Sequence, residues 1–176
     1  MQILSTLQQA DLRLFAWLFR NGDRYLLIPP AKAVSHSGDG YLHILTPLML
    51  IIMGAAYAGD LVLVLALALS IERPVYWVLK NGLRRRRPEQ FVPGFRSLIV
   101  ASDQFSFPSG HSSAAFLLVT CLCVLYGAAA APLLIWAIAV GMSRVLLGVH
   151  FPGDILAGAS MGTVIALLAS SLLGLY

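Results

Sequence analysis

The chain has 176 residues, of which 59% are hydrophobic and only 11% are charged. Soluble domains carry about 25% charged and about 45–50% apolar residues, so this composition excludes an ordinary soluble protein and indicates lipid as the solvent. The net charge of +4 fits an anionic lipid or a phosphorylated substrate. Nucleic acid is not expected as a partner, because the chain offers no soluble basic face. We predict one membrane-embedded domain over residues 1–176.

Residues 1–34 are predicted to form an interfacial segment that begins with an amphipathic helix. Leu14 and Phe15 belong to an apolar stripe with a 3.6-residue period, and Arg13 lies on the opposite side. The helix is too polar to span a bilayer, so it either lies on the membrane surface or packs on the helical bundle. Asp11 falls within the apolar stripe, which weakens the interpretation as a surface helix. No basic region of a cleaved signal precedes it, so we expect the segment to remain in the mature protein.

Five apolar stretches follow and are the predicted membrane spans. They run over about 41–58, 61–79, 112–126, 133–149 and 154–173. With the N-terminal helix they predict an all-α, polytopic transmembrane helical bundle of about five to six spans, whose catalytic part covers 36–173. Breaks or turns are expected at Asn21-Gly22-Asp23, Pro29-Pro30, Gly59-Asp60 and 127–132.

Two charged residues, Glu72 and Arg73, lie inside the second predicted span. Charged side chains within a span face the interior of the bundle rather than lipid. They either form internal ion pairs with other helices or contact the substrate, and the ion pair is the preferred interpretation.

Three short stretches carry the groups that point to chemistry. They are Lys80 with Arg87-Pro88, then Pro108-Ser109-Gly110-His111, then Ser143-Arg144 with His150 and Asp154. Alternate crossings place the end of the second span, the start of the third, the end of the fourth and the start of the fifth on one membrane face. The three stretches are therefore predicted to converge in space.

The cations in these stretches suit a phosphate ester, which carries roughly −1.5 to −2 charges at neutral pH. Arg87 and Arg144 can bind phosphate oxygens in a bidentate manner, and Lys80 adds a compact positive charge. Ser109 and Gly110 precede an apolar helix, whose first N–H groups favour an anion.

The two histidines suit a transfer through a covalent intermediate. Asp154 follows His150 by four residues, so its carboxylate can accept from one ring nitrogen and leave the other free to attack phosphorus. His111 stands at a helix start, where it can protonate the departing alkoxide. No third histidine or carboxylate cluster completes a metal site, and no cofactor is expected.

These motifs resemble the three-part signature of the type 2 phosphatidic acid phosphatase (PAP2) superfamily, which also includes vanadium haloperoxidases. All three parts are present in order, within a resemblance that covers about residues 36–173. It implies a helical membrane bundle with a PAP2/haloperoxidase-like core. It also implies dephosphorylation through a phosphohistidine without a metal ion. Membrane members usually have six spans, whereas this chain has five and the amphipathic start.

Carried over residue by residue, the resemblance makes His150 the nucleophile, Asp154 its orienter and His111 the general acid. The phosphate-binding residues would be Lys80, Arg87, Ser109, Gly110 and Arg144. Candidate substrates are undecaprenyl pyrophosphate, phosphatidylglycerol phosphate, phosphatidic acid and lipid A phosphates. The expected partners are thus a phosphorylated lipid and the bilayer, and the oligomeric state is left open. One alternative is a lipid phosphotransferase that uses the same phosphohistidine; another is a non-enzymatic transporter, although the chain shows no internal repeat.

The expected location is the bacterial inner membrane, which the chain crosses several times. With residues 1–34 on the same side, every Lys and Arg except Arg73 lies on the site-bearing face, so the positive-inside rule would place the site in the cytoplasm. The family resemblance implies the periplasmic face instead. Since Lys80, Arg87 and Arg144 have a catalytic reason to be there, they are poor topology markers, and we expect the periplasmic face.

Several other polar residues receive structural interpretations. Arg84, Arg85 and Arg86 lie outside the signature and either grip an anionic headgroup or form a basic patch at the membrane surface, the latter being preferred. His36 and His43 are assigned to polar contacts at helix ends. Cys121 and Cys123 are two apart in an apolar run and are expected to pack without a disulfide.

Overall fold

The computed structural model describes residues 2–20, 24–101 and 103–175, and these residues form helices joined by turns and loops. The helices are α1 (Gln2–Arg20), α2 (Arg24–Ser37), α3 (Leu42–Ile52), α4 (Ala58–Leu83), α5 (Pro88–Phe91), α6 (Gly110–Tyr126), α7 (Leu133–Leu146) and α8 (Pro152–Leu172). A 3₁₀ turn, Gly127–Ala129, joins α6 to α7. The all-α prediction is confirmed.

Three of these helices, α4, α6 and α8, are long and apolar enough to cross a membrane, whereas α3 and α7 have only 11 and 14 residues. At 1.5 Å per residue, 11 residues reach about 17 Å, against a hydrocarbon core of about 30 Å. Two of the five predicted spans are therefore short apolar helices. Each is followed by a glycine at positive φ, Gly54 at 66° after α3 and Gly148 at 78° after α7, where the chain turns.

Two of the predicted breaks are wrong. Gly59 and Asp60 lie in the first turn of α4, where a carboxylate complements the helix dipole, and the turn comes earlier, at Tyr57 with its left-handed φ of 60°. Pro29 and Pro30 lie inside α2. Their missing N–H groups forfeit only bonds to carbonyls in the first turn of that helix. The break predicted at residues 21–23 lies outside the described residues.

The central contact of the bundle is between α6 and α8, the most extensive helix pair. Two glycines of α8 make it close: a Cβ at Gly158 would overlap the backbone carbonyl of Ser109, and one at Gly162 would overlap that of Ser113. This approach lets the backbone N–H of Ser109 donate to the carbonyl of Asp154 at 3.0 Å. The second and third motifs are thus joined at the starts of the two helices.

The two ends of the bundle separate as alternate crossings predict. At one end, the hydroxyl of Tyr126 at the end of α6 donates to the carbonyl of Ala56 before α4 at 2.7 Å. At the other end, Nζ of Lys80 near the end of α4 donates to the carbonyl of Pro108 before α6 at 3.0 Å. The convergence of the three motifs at one end is therefore confirmed.

The first helix packs on the bundle. Phe15 is buried against Val145 of α7, Phe151 and Ile155 of α8, and its ring meets the ring of Phe151 edge-on at 5.4 Å. Leu14, expected in the same apolar stripe, is exposed. Of the two alternatives for residues 1–34, packing on the bundle is the one that the described contacts support.

The outer faces of the other helices carry large apolar side chains. Examples are Ile44 on α3, Ile135 on α7, and Leu156 and Val164 on α8, each more than half exposed. A monomeric soluble protein rarely exposes apolar surface on this scale, so these faces suit lipid. The membrane character predicted from composition is confirmed.

Candidate active site

Two cations of the first motif hold a carboxylate between them. Nζ of Lys80 lies 3.1 Å from Oδ2 of Asp103, and Nη2 of Arg87 pairs with Oδ1 of the same side chain. Arg87 is also held by the segment just before His150, because its Nη1 donates to the carbonyl of Val149 at 2.6 Å. Both cationic side chains are buried. Lys80 and Arg87 are therefore presented together to one anion, next to the third motif.

Asp103 was missed by the sequence reasoning, because it lies in the polar connection without any motif around it. Its Oδ2 also accepts from the hydroxyl of Tyr76 at 2.5 Å. Partial burial would raise the pKa of Asp103, but the Tyr76 hydrogen bond and the charges of Lys80 and Arg87 outweigh it and hold the pKa below its usual range. The carboxylate is therefore ionised, and it shows that these cations bind an oxyanion.

The second motif begins α6. Ser109 is the N-cap, and its buried hydroxyl oxygen accepts from the N–H of Ser112 at 3.4 Å and from the Ser112 hydroxyl at 3.0 Å. The backbone N–H of Ser109 donates to the backbone carbonyl of Asp154. Gly110 borders the main cavity, and a Cβ there would come within 3.1 Å of the ring of Tyr76. Ser109 is thus seen as a helix cap, and the missing Cβ of Gly110 lets the ring of Tyr76 pack against the start of α6 beside the cavity.

His150 and Asp154 meet at the start of α8. Nδ1 of His150 lies 3.5 Å from Oδ2 of Asp154, which is within ion-pair range and too long for a strong hydrogen bond. Both side chains are buried. Burial, together with the charges of Arg87 and Arg144, lowers the pKa of His150 to about 4, although Asp154 opposes the shift. The imidazole is neutral at pH 7 and retains a lone pair for nucleophilic attack.

His111 lies on the other side of the site and contacts a carboxylate that the sequence did not single out. Its Nε2 is 2.7 Å from Oδ1 of Asp39, and Oδ2 of Asp39 is 2.5 Å from Nδ1 of His36. Partial burial would raise the pKa of Asp39, but the hydrogen bonds from the two histidines prevail and lower it. Asp39 therefore accepts as an ionised carboxylate, and its hydrogen bond with Nε2 fixes the orientation of the His111 ring.

Arg144 connects the third motif to the main cavity. Its Nη1 donates to the hydroxyl of Ser35 on α2 at 2.6 Å. The cavity has a volume of about 840 Å³ and is bordered by Gly110, His111 and Arg144 of the predicted site, and by Arg73 and Tyr76 of α4. Ligand pockets of small molecules typically have about 300–1,000 Å³, so the cavity is large enough for a lipid headgroup.

Two buried polar atoms in the described ranges lack a hydrogen-bond partner. They are Nε of Arg144 and Nδ1 of His150. Buried polar groups of folded proteins are nearly always paired, so such atoms require an explanation. Both belong to residues that the sequence had singled out for chemistry.

The predicted ion pair forms between Glu72 and Arg73 themselves rather than with other helices. Glu72 is fully buried, accepts from the hydroxyl of Ser113 at 2.6 Å and pairs with Arg73. The guanidinium of Arg73 also stacks over Tyr76, 5.1 Å from the ring centroid, and borders the cavity. Glu72 is thus the buried partner of the pair, whereas the side chain of Arg73 is 53% exposed at the edge of the site.

The remaining polar residues divide. His36 pairs with Asp39 just past the end of α2, and His43 of α3 reaches the carbonyls of Gly40 and Ala114 at 3.1 and 3.0 Å. These are polar contacts at helix ends, as expected. In the run of extra arginines, Arg84 and Arg86 are exposed, whereas Arg85 turns inward onto two carboxylates.

Comparison with known proteins shows which family model, relatives and solved structures this chain is similar to. A family model described as PAP2 superfamily matches residues 45–174. A decaprenylphosphoryl-5-phosphoribose phosphatase of Mycobacterium tuberculosis is 28% identical over 157 residues, which cover 86% of this chain and 84% of the relative. LpxE of Aquifex aeolicus superposes with a TM-score of 0.76 at 26% identity, covering 91% of this chain and 94% of that chain. A transmembrane PAP2-type phosphatidylglycerolphosphate phosphatase from Bacillus subtilis gives a TM-score of 0.74 at 26% identity, with 96% and 87% covered.

Proposed function

The chain belongs to the PAP2 superfamily and is a membrane phosphatase, and from that premise we propose that it hydrolyses a phosphomonoester or pyrophosphate of a lipid through a phosphohistidine at His150. The observation that carries the proposal is the pair of unpartnered buried atoms, Nε of Arg144 and Nδ1 of His150. A phosphoryl group gives the arginine an acceptor. When Nε2 of His150 bonds to phosphorus, the imidazole becomes cationic. Its Nδ1–H then donates a hydrogen bond to the carboxylate of Asp154.

The cations of the site would bind the phosphoryl oxygens. Lys80 and Arg87 already hold the carboxylate of Asp103, and a phosphate dianion of higher charge competes for the same donors. Arg144 borders the cavity through which a headgroup would enter. The backbone N–H of Gly110 would donate to the phosphate. Ser109 would cap the start of α6, and the Ser109 hydroxyl would lie near the phosphate. Their common effect is to stabilise the charge that spreads over the equatorial oxygens in the transition state.

In the first step, Nε2 of His150 attacks phosphorus, and a P–N bond forms as the P–O bond to the lipid breaks. The departing oxygen takes a proton from His111, so the lipid leaves as an alcohol, or as a monophosphate if the substrate is a pyrophosphate. In the second step, water attacks phosphorus, His111 takes the proton from that water, and the P–N bond breaks to release inorganic phosphate. His150 and His111 are then back in their starting protonation states.

The reaction requires no metal ion in this scheme. Phosphate charge is met by Lys80, Arg87 and Arg144, and the nucleophile is a neutral imidazole. Among the residues that the structure describes, no three His, Cys, Asp or Glu side chains are grouped so that they could hold a metal ion. The chemistry of the donors present thus suits an anion rather than a divalent cation.

The proposal is tested by phosphate release from purified protein in mixed micelles, with excess chelator and with added Mg²⁺. The panel would contain undecaprenyl pyrophosphate, phosphatidylglycerol phosphate, phosphatidic acid, lipid A and a prenylphosphoryl pentose phosphate. We expect equal rates in chelator and in Mg²⁺, and the highest kcat/KM identifies the lipid. A rate that depends on added Mg²⁺ contradicts the mechanism. Phosphate that appears on a second, labelled lipid instead of in solution identifies a phosphotransferase.

We further propose that the protein lies in the bacterial inner membrane with its site on the periplasmic face. The relatives support a bacterial membrane protein. The side of the membrane rests on the family resemblance and on the catalytic reason for the basic residues, which removes them as topology markers.

Labelling of introduced cysteines with an impermeant thiol reagent tests the orientation. Ala128→Cys lies in the exposed turn after α6, at the end opposite the site, and Arg96→Cys lies on the exposed loop at the site end. In intact spheroplasts we expect Arg96→Cys to react and Ala128→Cys to react only after the membrane is made permeable. The unmodified chain, with Cys121 and Cys123 in apolar surroundings, gives the background. Labelling of Ala128→Cys from outside reverses the orientation.

A further inference from the structure

The second extra arginine makes contacts that a surface patch does not need. Arg84 and Arg86 are exposed, and Nε of Arg84 donates only to the nearby carbonyl of Asn81 at 2.9 Å. Arg85 between them has a side chain that is only 22% exposed. Its guanidinium lies 4.5 Å from the ring centroid of Phe151, at the start of α8. One member of a run of similar residues is therefore used inside the bundle.

Arg85 joins two carboxylates through separate nitrogens. Nη1 donates to Oδ1 of Asp154 at 2.6 Å, and Nη2 donates to Oδ2 of Asp11 at 2.6 Å. These contacts bridge 69 and 74 residues of sequence. They connect the loop after α4, the first turn of α8 and the first helix.

The two carboxylate oxygens of Asp154 have different partners, and Arg85 holds one of them. The carboxylate of Asp154 is fully buried, and its Oδ2 accepts from the backbone N–H of Phe151 at 2.9 Å while facing His150. Without Arg85, that N–H would be the remaining close donor, and a buried charge would have lost its counter-ion. A carboxylate that orients a histidine must itself be held. At metal sites, where carboxylates orient ligating histidines, the loss of such a supporting contact typically costs about 10–100-fold in metal affinity or activity.

Asp11 in turn holds Arg85. Its Oδ1 accepts from the backbone N–H of Gly153 at 2.8 Å, and a Cβ at that glycine would lie only 2.8 Å from Oδ2 of Asp11. The side chain of Asp11 is 10% exposed. The acidic residue that interrupts the apolar stripe of α1 therefore has a partner at the catalytic end of the bundle.

We infer that Arg85 is a positioning residue for His150: it fixes the carboxylate of Asp154, and Asp11 of α1 fixes Arg85. The inference rests on the proposed function, because it presumes that His150 is the nucleophile. It gives the first helix a role in the reaction, since α1 supplies the outermost carboxylate of the chain Asp11, Arg85, Asp154, His150.

The test compares Arg85→Gln with Arg84→Gln and Arg86→Gln, which remove the same charge from the same loop. For each variant, kcat and KM are measured with the preferred lipid in mixed micelles, and the unfolding temperature is measured in the same detergent. We expect Arg85→Gln to lower kcat about 10–100-fold with KM changed less than about threefold. Both control variants should stay within about twofold of the unmodified protein.

Two further variants separate positioning from folding. Arg85→Lys keeps the charge but offers one ammonium group in place of the two guanidinium nitrogens. Its kcat should therefore be at least about tenfold higher than that of Arg85→Gln. Asp11→Asn leaves the contact between Arg85 and Asp154 possible and should lower kcat less than Arg85→Gln does. If Arg85→Gln does not fold, Arg85→Lys and Asp11→Asn are compared with the unmodified protein instead: kcat lowered more than about threefold at unchanged KM in folded Asp11→Asn supports the inference, and unchanged kcat in both variants overturns it.

Several outcomes overturn the inference. Equal kcat in Arg85→Gln and the two controls removes any role in the reaction. A raised KM with unchanged kcat assigns Arg85 to phosphate binding instead. A loss in Arg85→Gln or Asp11→Asn that matches the loss of folded protein makes the contact merely structural. Failure of the proposed function looks different, because His150→Ala would then retain the activity of the unmodified protein.

Discussion

His150→Ala is expected to lower kcat for lipid dephosphorylation by at least about 10⁴-fold, because loss of a covalent nucleophile removes the whole double-displacement route. The imidazole is neutral at pH 7, since burial lowers its pKa to about 4. It is therefore competent for attack without a separate base. Phosphate binding should persist, because Lys80 and Arg87 are untouched, so the inhibition constant of inorganic phosphate should change by less than about threefold.

A second measurement on the same variant identifies the intermediate. Unmodified protein mixed with ³²P-labelled substrate and quenched in alkali should retain label that is released in acid, the behaviour of a phosphoramidate bond. His150→Ala should retain none. Label that survives in His150→Ala, or residual turnover above about one hundredth of the normal rate, would move the nucleophile to another residue.

His111→Asn is expected to lower kcat about 10²–10⁴-fold for an alkyl phosphate, the usual contribution of a general acid. The loss in the rate of phosphoryl transfer to His150 should depend on the leaving group. A lipid alcohol is a poor leaving group and needs the proton, whereas an acidic phenol such as p-nitrophenol leaves without it. With the aryl phosphate, attack by His150 should remain fast, while the water step, which needs His111 as a base, becomes limiting. A burst of phenol and an accumulated phosphoenzyme are the expected result.

The comparison of leaving groups also decides whether His111 has this role. Equal losses in the rate of phosphoenzyme formation from the alkyl and the aryl phosphate, measured by rapid quench, would show that His111 holds the site together rather than transferring a proton. His150→Ala is the matched reference, because loss of the nucleophile should affect both substrates alike. Nε2 of His111 lies 2.7 Å from Oδ1 of Asp39, so an ionised carboxylate holds the imidazole in place.

Asp103 has a consequence for how substrate enters. Its carboxylate occupies Lys80 and Arg87 and also accepts from Tyr76. These contacts pair two buried cations that would otherwise lie unpaired in the bundle, and they stabilise the site before a phosphate arrives. A substrate that binds the same cations has to displace this carboxylate or share them with it.

Much of the site was predictable because its groups lie close along the chain. His150 and Asp154 are one helical turn apart, so their proximity follows from α8 alone. His111 follows Ser109 at the start of α6, where capping chemistry marks the helix N-terminus. The convergence of three distant motifs could be predicted from the alternation of crossings, which needs only the number and order of the spans.

Other features could not be predicted because they depend on which faces of the helices meet. Asp39 and Asp103 lie in polar loops with no pattern that distinguishes them from solvated acids. Asp11 did carry a signal, since it interrupts an apolar stripe, but nothing in the sequence named its partner. Span lengths were overestimated at α3 and α7, because hydropathy continues past the glycine turns that end these helices.

By itself, the sequence determined the solvent and the fold class and singled out the groups that we propose to react, because composition, periodicity and spacing within a helical turn are local properties. The tertiary structure decided which groups support them: Asp103 on Lys80 and Arg87, Asp39 on His111, and Arg85 with Asp11 on Asp154. These contacts join residues up to 74 positions apart. They exist because two glycines let α6 and α8 approach closely and because α1 packs on the end where the motifs meet.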